Sequence, residues 1–358
     1  MLRITTDLTS DTVRIHAPST TQFAVNISKL VWPTRTVFWR PGAVVLLPLG
    51  RWRDAVAGVP LMHFPNNAAL LATQTNVLPK QTRNELIRLK PSGRGPKGEK
   101  LDAQVFLVGA IGTAVRRAVQ KLGFTTMRIR GANSLETAAD VARDMARHMP
   151  NPPTILVPYS SPIDSQPVVA LSAHSGAPIM FVNRTSIPGA TSSALNDIRP
   201  SAVYILGRDS QLSNSLITQV QSLLPGSRVM RVGGETITDF SINLARFFDP
   251  VTEFGWGRTK AEGDVFTFVA TGNIYQSIFS ATLAHLATHA PELIIPSRQS
   301  IPSRLRDYLI SVNPPLHHPP KPPFMRGWIM GDHKDISVAQ QISLETLLIK
   351  ERGDWPPE

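Results

Sequence analysis

Cysteine is absent from this chain of 358 residues, and so are long apolar runs. The lack of cysteine excludes disulfides, thiolate metal sites and cysteine nucleophiles. The best apolar stretches, such as residues 43–49, are far shorter than the roughly 18 residues that a membrane-spanning helix needs. The first residues lack a basic segment followed by an apolar one, so no secretory signal is predicted there. With 42% hydrophobic residues, we expect a globular protein without transmembrane helices.

Acidic residues are scarce in the first third of the chain. Residues 1–130 hold 19 of the 37 Lys and Arg but only 6 of the 26 Asp and Glu, a net charge of +13, whereas the rest of the chain has −2 and the whole chain +11. Positive charge that is concentrated in one part of a protein attracts polyanions. Many charged segments, however, only contact water and bind no partner. We predict polyanion contacts from eight cations: Arg51, Arg53, Arg83, Arg88, Lys90, Arg94, Lys97 and Lys100.

Three segments, beginning at Arg14, Arg128 and Arg231, align with one another without a gap. In each, a hydroxyl or amide residue precedes Gln, Glu or Asp by three positions, which is the spacing of a helix capping box. The pairs are Ser19 with Gln22, Asn133 with Glu136, and Thr236 with Asp239. Each repeat is therefore predicted to open with a short strand and a capped helix.

Further strands recur in the same order in every repeat. Apolar runs at 44–49, 154–159 and 265–271, and again at 68–72, 178–182 and 292–295, are each followed by a helix pattern. A last strand ends at Gly109, Gly207 or Gly331. Continuous apolar strands that alternate with helices indicate parallel sheets covered on both faces. We predict an α/β protein with three tandem doubly wound modules, at residues 12–127, 128–230 and 231–350.

Insertions interrupt the repeats in three places. Residues 91–100, rich in Gly and Pro, and residues 314–323, with His317, His318 and Lys321, both precede a last strand. Residues 250–263 precede the first long strand of the third repeat. Their composition predicts loops, and the first loop is expected to be flexible enough to follow an irregular polymer.

The repeats resemble the cell wall-binding repeat found in threes in bacterial surface-layer proteins. The resemblance rests on the segments 130–138 (RGANSLETA), 176–181 (GAPIMF) and 53–61 (RDAVAGVPL) and covers nearly the whole chain. It implies toprim- or flavodoxin-like modules around a pseudo-threefold axis, anchored noncovalently to anionic wall polymers. It also marks Asp54, Asp164, Glu136 and the three strand-ending glycines as family-motif positions. The chain departs from the family where Ser277 replaces the motif aspartate and where the second glycine of each Val-Gly-Gly ending is lost.

Catalytic and metal-binding patterns are weak. Asp54 and Asp164 follow strand ends, where ligands bind in open α/β sheets, but capping of the next helix is the more common role of such residues. His285 and His289 have helical i,i+4 spacing without the Glu of a zinc-protease motif, and Gly93–Gly98 matches GxGxxG outside a strand-to-helix turn. We expect a binding protein with no enzyme activity, no cofactor and no metal.

Two functions of different classes follow from these observations. The first is a protein of the cell surface that binds a teichoic-acid-like or acidic polysaccharide polymer of the wall. The second is a structural subunit of a surface or intracellular assembly, whose basic first repeat docks on protein or, less favoured, nucleic acid. The resemblance favours the cell wall as the location, and the lack of a predicted signal leaves a cytoplasmic location open.

Overall fold

The fold was analysed in a computed structural model, which describes residues 9, 11–33, 40–259, 265–286, 288–312 and 326–348. The predicted insertion at 314–323 and the end of the insertion at 250–263 lie outside these residues. No helix within the described ranges is both long enough and apolar enough to cross a bilayer.

Three four-stranded parallel sheets form the framework. The first, in the order β3-β2-β4-β5, contains β2 (Val44–Pro48), β3 (Ala69–Thr73), β4 (Val105–Val108) and β5 (Thr126–Ile129). The second, in the order β7-β6-β8-β9, contains β6 (Thr154–Pro158), β7 (Ile179–Val182), β8 (Ala202–Leu206) and β9 (Arg228–Val232). The third, in the order β1-β14-β12-β13, contains β1 (Thr12–Ile15), β12 (Phe266–Ala270), β13 (Glu292–Ile295) and β14 (Gly327–Met330).

Twelve helices are described beside these strands, and a short antiparallel ribbon, β10 (Phe248–Asp249) with β11 (Phe254–Gly255), lies in the third repeat. The helices of the first repeat are α1 (Thr20–Val31), α2 (Trp52–Gly58), α3 (Lys80–Leu89) and α4 (Thr113–Gln120). Those of the second are α5 (Ser134–His148), α6 (Pro162–Ser175), α7 (Gly189–Ile198) and α8 (Ser215–Leu223). Those of the third are α9 (Ile237–Arg246), α10 (Ile274–Leu286), α11 (Ser303–Val312) and α12 (Val338–Leu348).

The predicted helix caps at the start of each repeat are confirmed. The Ser19 hydroxyl accepts a hydrogen bond from the backbone N–H of Gln22, and the Asn133 side chain accepts from two backbone N–H groups. Thr236 and Asp239 form the complete reciprocal capping box. Glu136 reaches back one residue further than predicted, to the backbone N–H of Ala132 at 2.8 Å. These caps satisfy helix N–H groups that have no partner within the helix.

The opening strand of each repeat joins the sheet of another repeat. β5, which opens the second repeat, pairs with β4 of the first repeat, and β9 pairs with β8 of the second. β1, at the start of the chain, pairs with β14 near its end, in register from Thr12 with Gly327 to Ile15 with Met330. The sheets therefore do not coincide with the sequence repeats, and the exchange of strands closes the three repeats into a ring.

The helix that follows each opening strand packs on a strand of its own repeat and on a helix of the preceding repeat in the ring. α1 packs on β3 and α10, α5 packs on β7 and α2, and α9 packs on β13 and α6. The helices α6 and α10 pack on each other and on the segment formed by α2 and the 3-10 turn Val59–Met62. One apolar cluster runs through all three repeats along these contacts. This arrangement repeats three times, as the resemblance implies for a pseudo-threefold assembly.

Candidate polymer-binding site

The arginine that begins each aligned repeat donates hydrogen bonds to the loop that follows the last strand of the preceding repeat in the ring. Arg14, fully buried, donates to the carbonyl oxygens of Gly331 at 3.0 Å and Asp332 at 3.2 Å. Arg231 donates in the same way to the Gly207 carbonyl at 3.1 Å, and Arg128 donates to the Ile111 carbonyl at 2.9 Å. The repeated arginine thus has a structural role in each sheet.

The two motif aspartates also bind loop backbone at the carboxyl ends of strands. Asp54 accepts from the backbone N–H of Ala110 at 3.1 Å. Asp164, fully buried, accepts from the Arg208 backbone N–H at 2.7 Å and from the Arg208 guanidinium at 2.9 Å. The Ser161 hydroxyl donates to the same carboxylate. Each carboxylate thus connects the start of its helix to the loop after the neighbouring strand, and does not cap its own helix as the sequence favoured.

Two of the motif glycines are required by these contacts. Gly109 has φ +67° and Gly331 has φ +106°, backbone conformations that disfavour residues with a side chain. A Cβ atom on Gly109 would lie 2.4 Å from the Asp54 side chain, and one on Gly331 would lie 2.5 Å from an Asp335 carboxylate oxygen. At Gly109 and Gly331, an aspartate side chain therefore occupies the space that a Cβ atom would need, whereas at Gly207 the nearest atoms belong to Leu212 and Pro158.

A cleft of about 230 Å³ lies at the carboxyl end of the third sheet, between β12 and β14. Between β12 and β14 the chain connections run to opposite sides of the sheet. Ligands commonly bind at such a point in open α/β sheets. Gln276 and Asp335 hydrogen-bond to each other across the cleft, and Ser19 and Thr20 of α1 also line it. Asp332 and Asp335 place carboxylates in its wall, which disfavours an anionic ligand.

The eight predicted cations separate into two classes. Six are exposed: Arg51, Arg83, Lys90, Arg94, Lys97 and Lys100. Arg53 differs from the prediction, because its guanidinium donates to the Tyr159 carbonyl at 2.7 Å and stacks on the Tyr159 ring. Arg88 differs too, because it forms an ion pair with buried Glu85 at 2.6 Å and donates to the Trp32 carbonyl. Both arginines therefore stabilise the fold through contacts within the protein.

The exposed cations also lie at opposite ends of the first sheet. Arg51 follows β2 at the carboxyl end of the strands, and α3 runs from that end, with Arg83 in its first turns, to the amino end at Lys90. The sequence alone suggested one basic surface, and the structure places four cations together at the amino end: Lys90, Arg94, Lys97 and Lys100.

We name the cavity beside these residues the basic groove. It has a volume of about 480 Å³ and is lined by Arg40, Ile87, Lys90, Pro91, Ser92, Gln104, Leu122, Gly123 and Phe124. Arg40 and Lys90 supply positive charge, while Leu122 and Phe124 supply apolar surface. Such a mixture can hold a phosphate or carboxylate group beside the carbon skeleton of a sugar or polyol.

The loop at 91–100 is more regular than its composition predicted. Ser92 and Gly93 donate backbone hydrogen bonds to the carbonyls of Pro41 and Gly42. Arg94 and Lys100 form an antiparallel bridge, and the Arg94 guanidinium donates to the Gly98 carbonyl at 3.1 Å. Backbone pairing holds the cations in place, which differs from the flexible loop expected from its glycine and proline.

Three residues of the basic groove were not identified from the sequence. Arg40, Leu122 and Phe124 come from two segments far apart in the chain, before β2 and before β5. No local pattern connects these segments. In the sequence, Arg40 is marked only as one of the many cations of residues 1–130.

The fold described defines an α/β protein built from three repeats. The resemblance seen in the sequence is confirmed for its second repeat: residues 128–217 match the family model of Cell wall binding domain 2 (CWB2). This family supports cell wall binding as the general function, and with it a location at the cell surface or wall.

Known proteins share sequence or fold with this chain over most of its length. It is 25% identical over 294 residues to N-acetylmuramoyl-L-alanine amidase LytC of Bacillus subtilis (strain 168), covering 81% of this chain and 51% of LytC. Its fold is similar to those of two structures from Clostridium difficile, Cwp6 (TM-score 0.74, 20% identity) and Cwp8 (TM-score 0.71, 17% identity). These matches cover 93% and 96% of this chain, and 47% and 52% of Cwp6 and Cwp8. The chain thus spans about half the length of these relatives.

Proposed function

We propose that the protein is a non-catalytic cell wall-binding protein that anchors to an anionic wall polymer, either teichoic-acid-like or an acidic polysaccharide. The observation that carries this proposal is the basic groove, where the half-buried Arg40 and the exposed Lys90 line one cavity together with the apolar side chains of Leu122 and Phe124. The similarity to LytC supports wall binding by a chain of this fold, and the amidase activity that its name states is not part of the proposal.

The chemistry of the basic groove suits such a polymer. Wall polymers of this class alternate charged groups with sugar or polyol units. Arg40 and Lys90 can neutralise the charged groups, and Leu122 and Phe124 can contact the C–H faces between them. Arg94, Lys97 and Lys100 extend the positive charge along the loop at 91–100, so that successive charged groups of one polymer can be bound.

The proposal is tested by binding to purified wall polymer across a salt titration. In the test variant, Lys90, Arg94, Lys97 and Lys100 are replaced by Gln. We expect its affinity at low salt to fall on the order of tenfold or more, and its salt dependence to flatten, because fewer counterions are exchanged.

A matched control variant removes the same charge elsewhere. Arg184, Arg298, Arg306 and Lys334 are exposed cations of the second and third repeats, and their replacement by Gln also removes four positive charges. This control should bind almost as tightly as the original protein. Equal losses in the two variants would show that net charge, and not the basic groove, governs binding. Stronger binding to DNA than to wall polymer of equal charge would favour the second function, docking within an assembly.

A further inference from the structure

Four histidines from all three repeats meet where the central helices pack together. We name them the histidine cluster: His63 after the 3-10 turn Val59–Met62, His174 in the last turn of α6, His285 in the last turn of α10, and His289 beyond it. The rings of His63 and His285 lie 4.4 Å apart, and those of His174 and His289 lie 5.4 Å apart. The helical i,i+4 pairing of His285 with His289 does not form, because α10 ends at Leu286.

The His174 and His289 rings face each other through their Nδ1 atoms, which are 3.3 Å apart. This separation lets one ring donate a hydrogen bond to the other, with the donor set by the tautomers. It equals the spacing of two imidazole ligands on one tetrahedral metal ion, because nitrogens about 2.05 Å from zinc lie about 3.3 Å from each other. The two rings are nearly perpendicular, at 80°.

Burial lowers the pKa of His63, His174 and His285, which favours the neutral imidazole that binds metals. Burial, followed by the charges of His289, Arg258 and His63, lowers the pKa of His174 to about 4. The Ala284 carbonyl interacts with the His174 ring as well, and metal-ligating histidines usually make such a contact with a backbone carbonyl. His63 Nδ1 is buried and has no hydrogen-bond partner within the described ranges, but the His63 ring faces His285 and does not come close enough to both His174 and His289 to share an ion with them.

We propose that His174 and His289 bind a divalent transition-metal ion of the class that prefers imidazole, namely Zn²⁺, Ni²⁺ or Cu²⁺. The ion would join α6 to the segment after α10 and so connect the second repeat to the third. Arg258, which donates to the His289 carbonyl at 3.1 Å, places a positive charge nearby. Binding is therefore expected to be weaker than at a structural zinc site.

A second group of ligand-type side chains is a less suitable site. Asp102, Asp144 and His148 place ligand atoms within 4.8 Å of one another. Arg147, however, already forms ion pairs with Asp102 at 2.6 Å and with Asp144 at 3.1 Å. Its guanidinium neutralises both carboxylates, so a metal ion would have to displace it.

Trp256 provides a direct readout of metal binding. Its ring is stacked on that of His174, with centroids 4.4 Å apart and planes 20° from parallel. Ni²⁺ or Cu²⁺ bound at His174 should therefore quench its fluorescence. In the full chain, freed of metal with a chelator, we expect saturable quenching, one ion per chain by calorimetry, and tighter binding of Cu²⁺ than of Ni²⁺. Zn²⁺ should raise the unfolding temperature.

Three variants decide where the ion binds. H174Q and H289Q should each weaken Ni²⁺ binding at least tenfold, and H289Q removes an exposed ring without disturbing the core. H148Q, which alters the group around Asp102, should leave the affinity unchanged. Absence of saturable binding, binding that survives both H174Q and H289Q, or loss of binding in H148Q alone would overturn the proposal.

Discussion

Arg14, in the first strand of the chain, donates a hydrogen bond to the Gly331 carbonyl, 317 residues further along. Its guanidinium also donates to Gln341 of α12 at 3.0 Å. These bonds, together with the pairing of β1 with β14, close the ring of repeats. The side chain is fully buried, so its partners have no access to water when it is removed.

We expect R14M to lower the free energy of unfolding by about 2–4 kcal/mol, because it leaves buried acceptors without a donor. R128M is the matched control. Arg128 occupies the same repeat position, but it is half-buried and donates to one carbonyl, that of Ile111. Its loss should cost about 1 kcal/mol. Urea unfolding followed by circular dichroism measures both values, and equal losses would contradict the special role of ring closure.

Asp164 and Asp54 occupy the same motif position but have different partners. Asp164 binds both the backbone and the guanidinium of Arg208, whereas Asp54 accepts from one backbone N–H. Breaking a buried ion pair typically costs about 3–5 kcal/mol, and losing one hydrogen bond to a charged group about 1.5–3 kcal/mol. D164N should therefore destabilise the protein more than D54N in the same urea assay. The opposite order would show that the Asp54 carboxylate has a further role.

Glu292 makes stability fall as the pH rises. Complete burial raises the pKa of this carboxyl group to about 8, against hydrogen bonds from Ser277 and Ser280 that lower it. The folded protein therefore keeps a proton that the unfolded chain releases above about pH 4.5. The resulting stability is complete below that pH and is lost as the pH approaches 8, at up to about 1.4 kcal/mol per pH unit.

E292Q removes this titration. Its free energy of unfolding should match the original protein near pH 5 and exceed it at pH 8, with a flatter profile between. E235Q, at an exposed glutamate, is the control and should keep the original profile. Parallel profiles for E292Q and the original protein would show that Glu292 keeps its charge when buried.

The histidine cluster has the opposite effect from Glu292, because it makes stability fall as the pH is lowered. Burial is the largest cause that lowers the pKa of His285 to about 3 and that of His174 to about 4. Their stabilising effect is complete above the unfolded value of 6.5 and is lost as the pH falls toward these values. The permanent positive charge of Arg258 disfavours protonation of His174 further.

We expect H285Q to retain more of its stability than the original protein when the pH is lowered from 6.5 to 4. H333Q, outside the cluster, should follow the original profile. Unfolding temperatures measured across this range provide the check. If H285Q loses stability with acid as steeply as the original protein, protonation of other groups controls acid unfolding.

Much of the local structure was predictable from the amino-acid sequence. The predicted strand at 292–295 coincides with β13, the run at 44–49 is one residue longer than β2, and the predicted strand end at Gly109 lies one residue after β4. Apolar runs and capping pairs act within a few residues of the chain, so a single sequence displays them. The resemblance to a cell wall-binding repeat likewise rested on local motifs.

The site was predictable only in part. The charge count indicated that the first third of the chain holds the basic surface. It could not distinguish the exposed Lys90 from Arg88, which forms an ion pair with Glu85. Nor could it identify Arg40 and Phe124 as neighbours in the basic groove. These distinctions depend on which residues from distant segments come into contact.

The sequence by itself determined the repeated order of strands, helices and caps, because each depends on the burial and hydrogen bonding of nearby residues. Only the tertiary structure decided that β1 completes the third sheet, that Arg14 holds Gly331, and that His174 faces His289. The backbone edge of a parallel strand accepts many partners equally well. The choice among them is made by the packing of whole helices and sheets, to which residues hundreds of positions apart contribute.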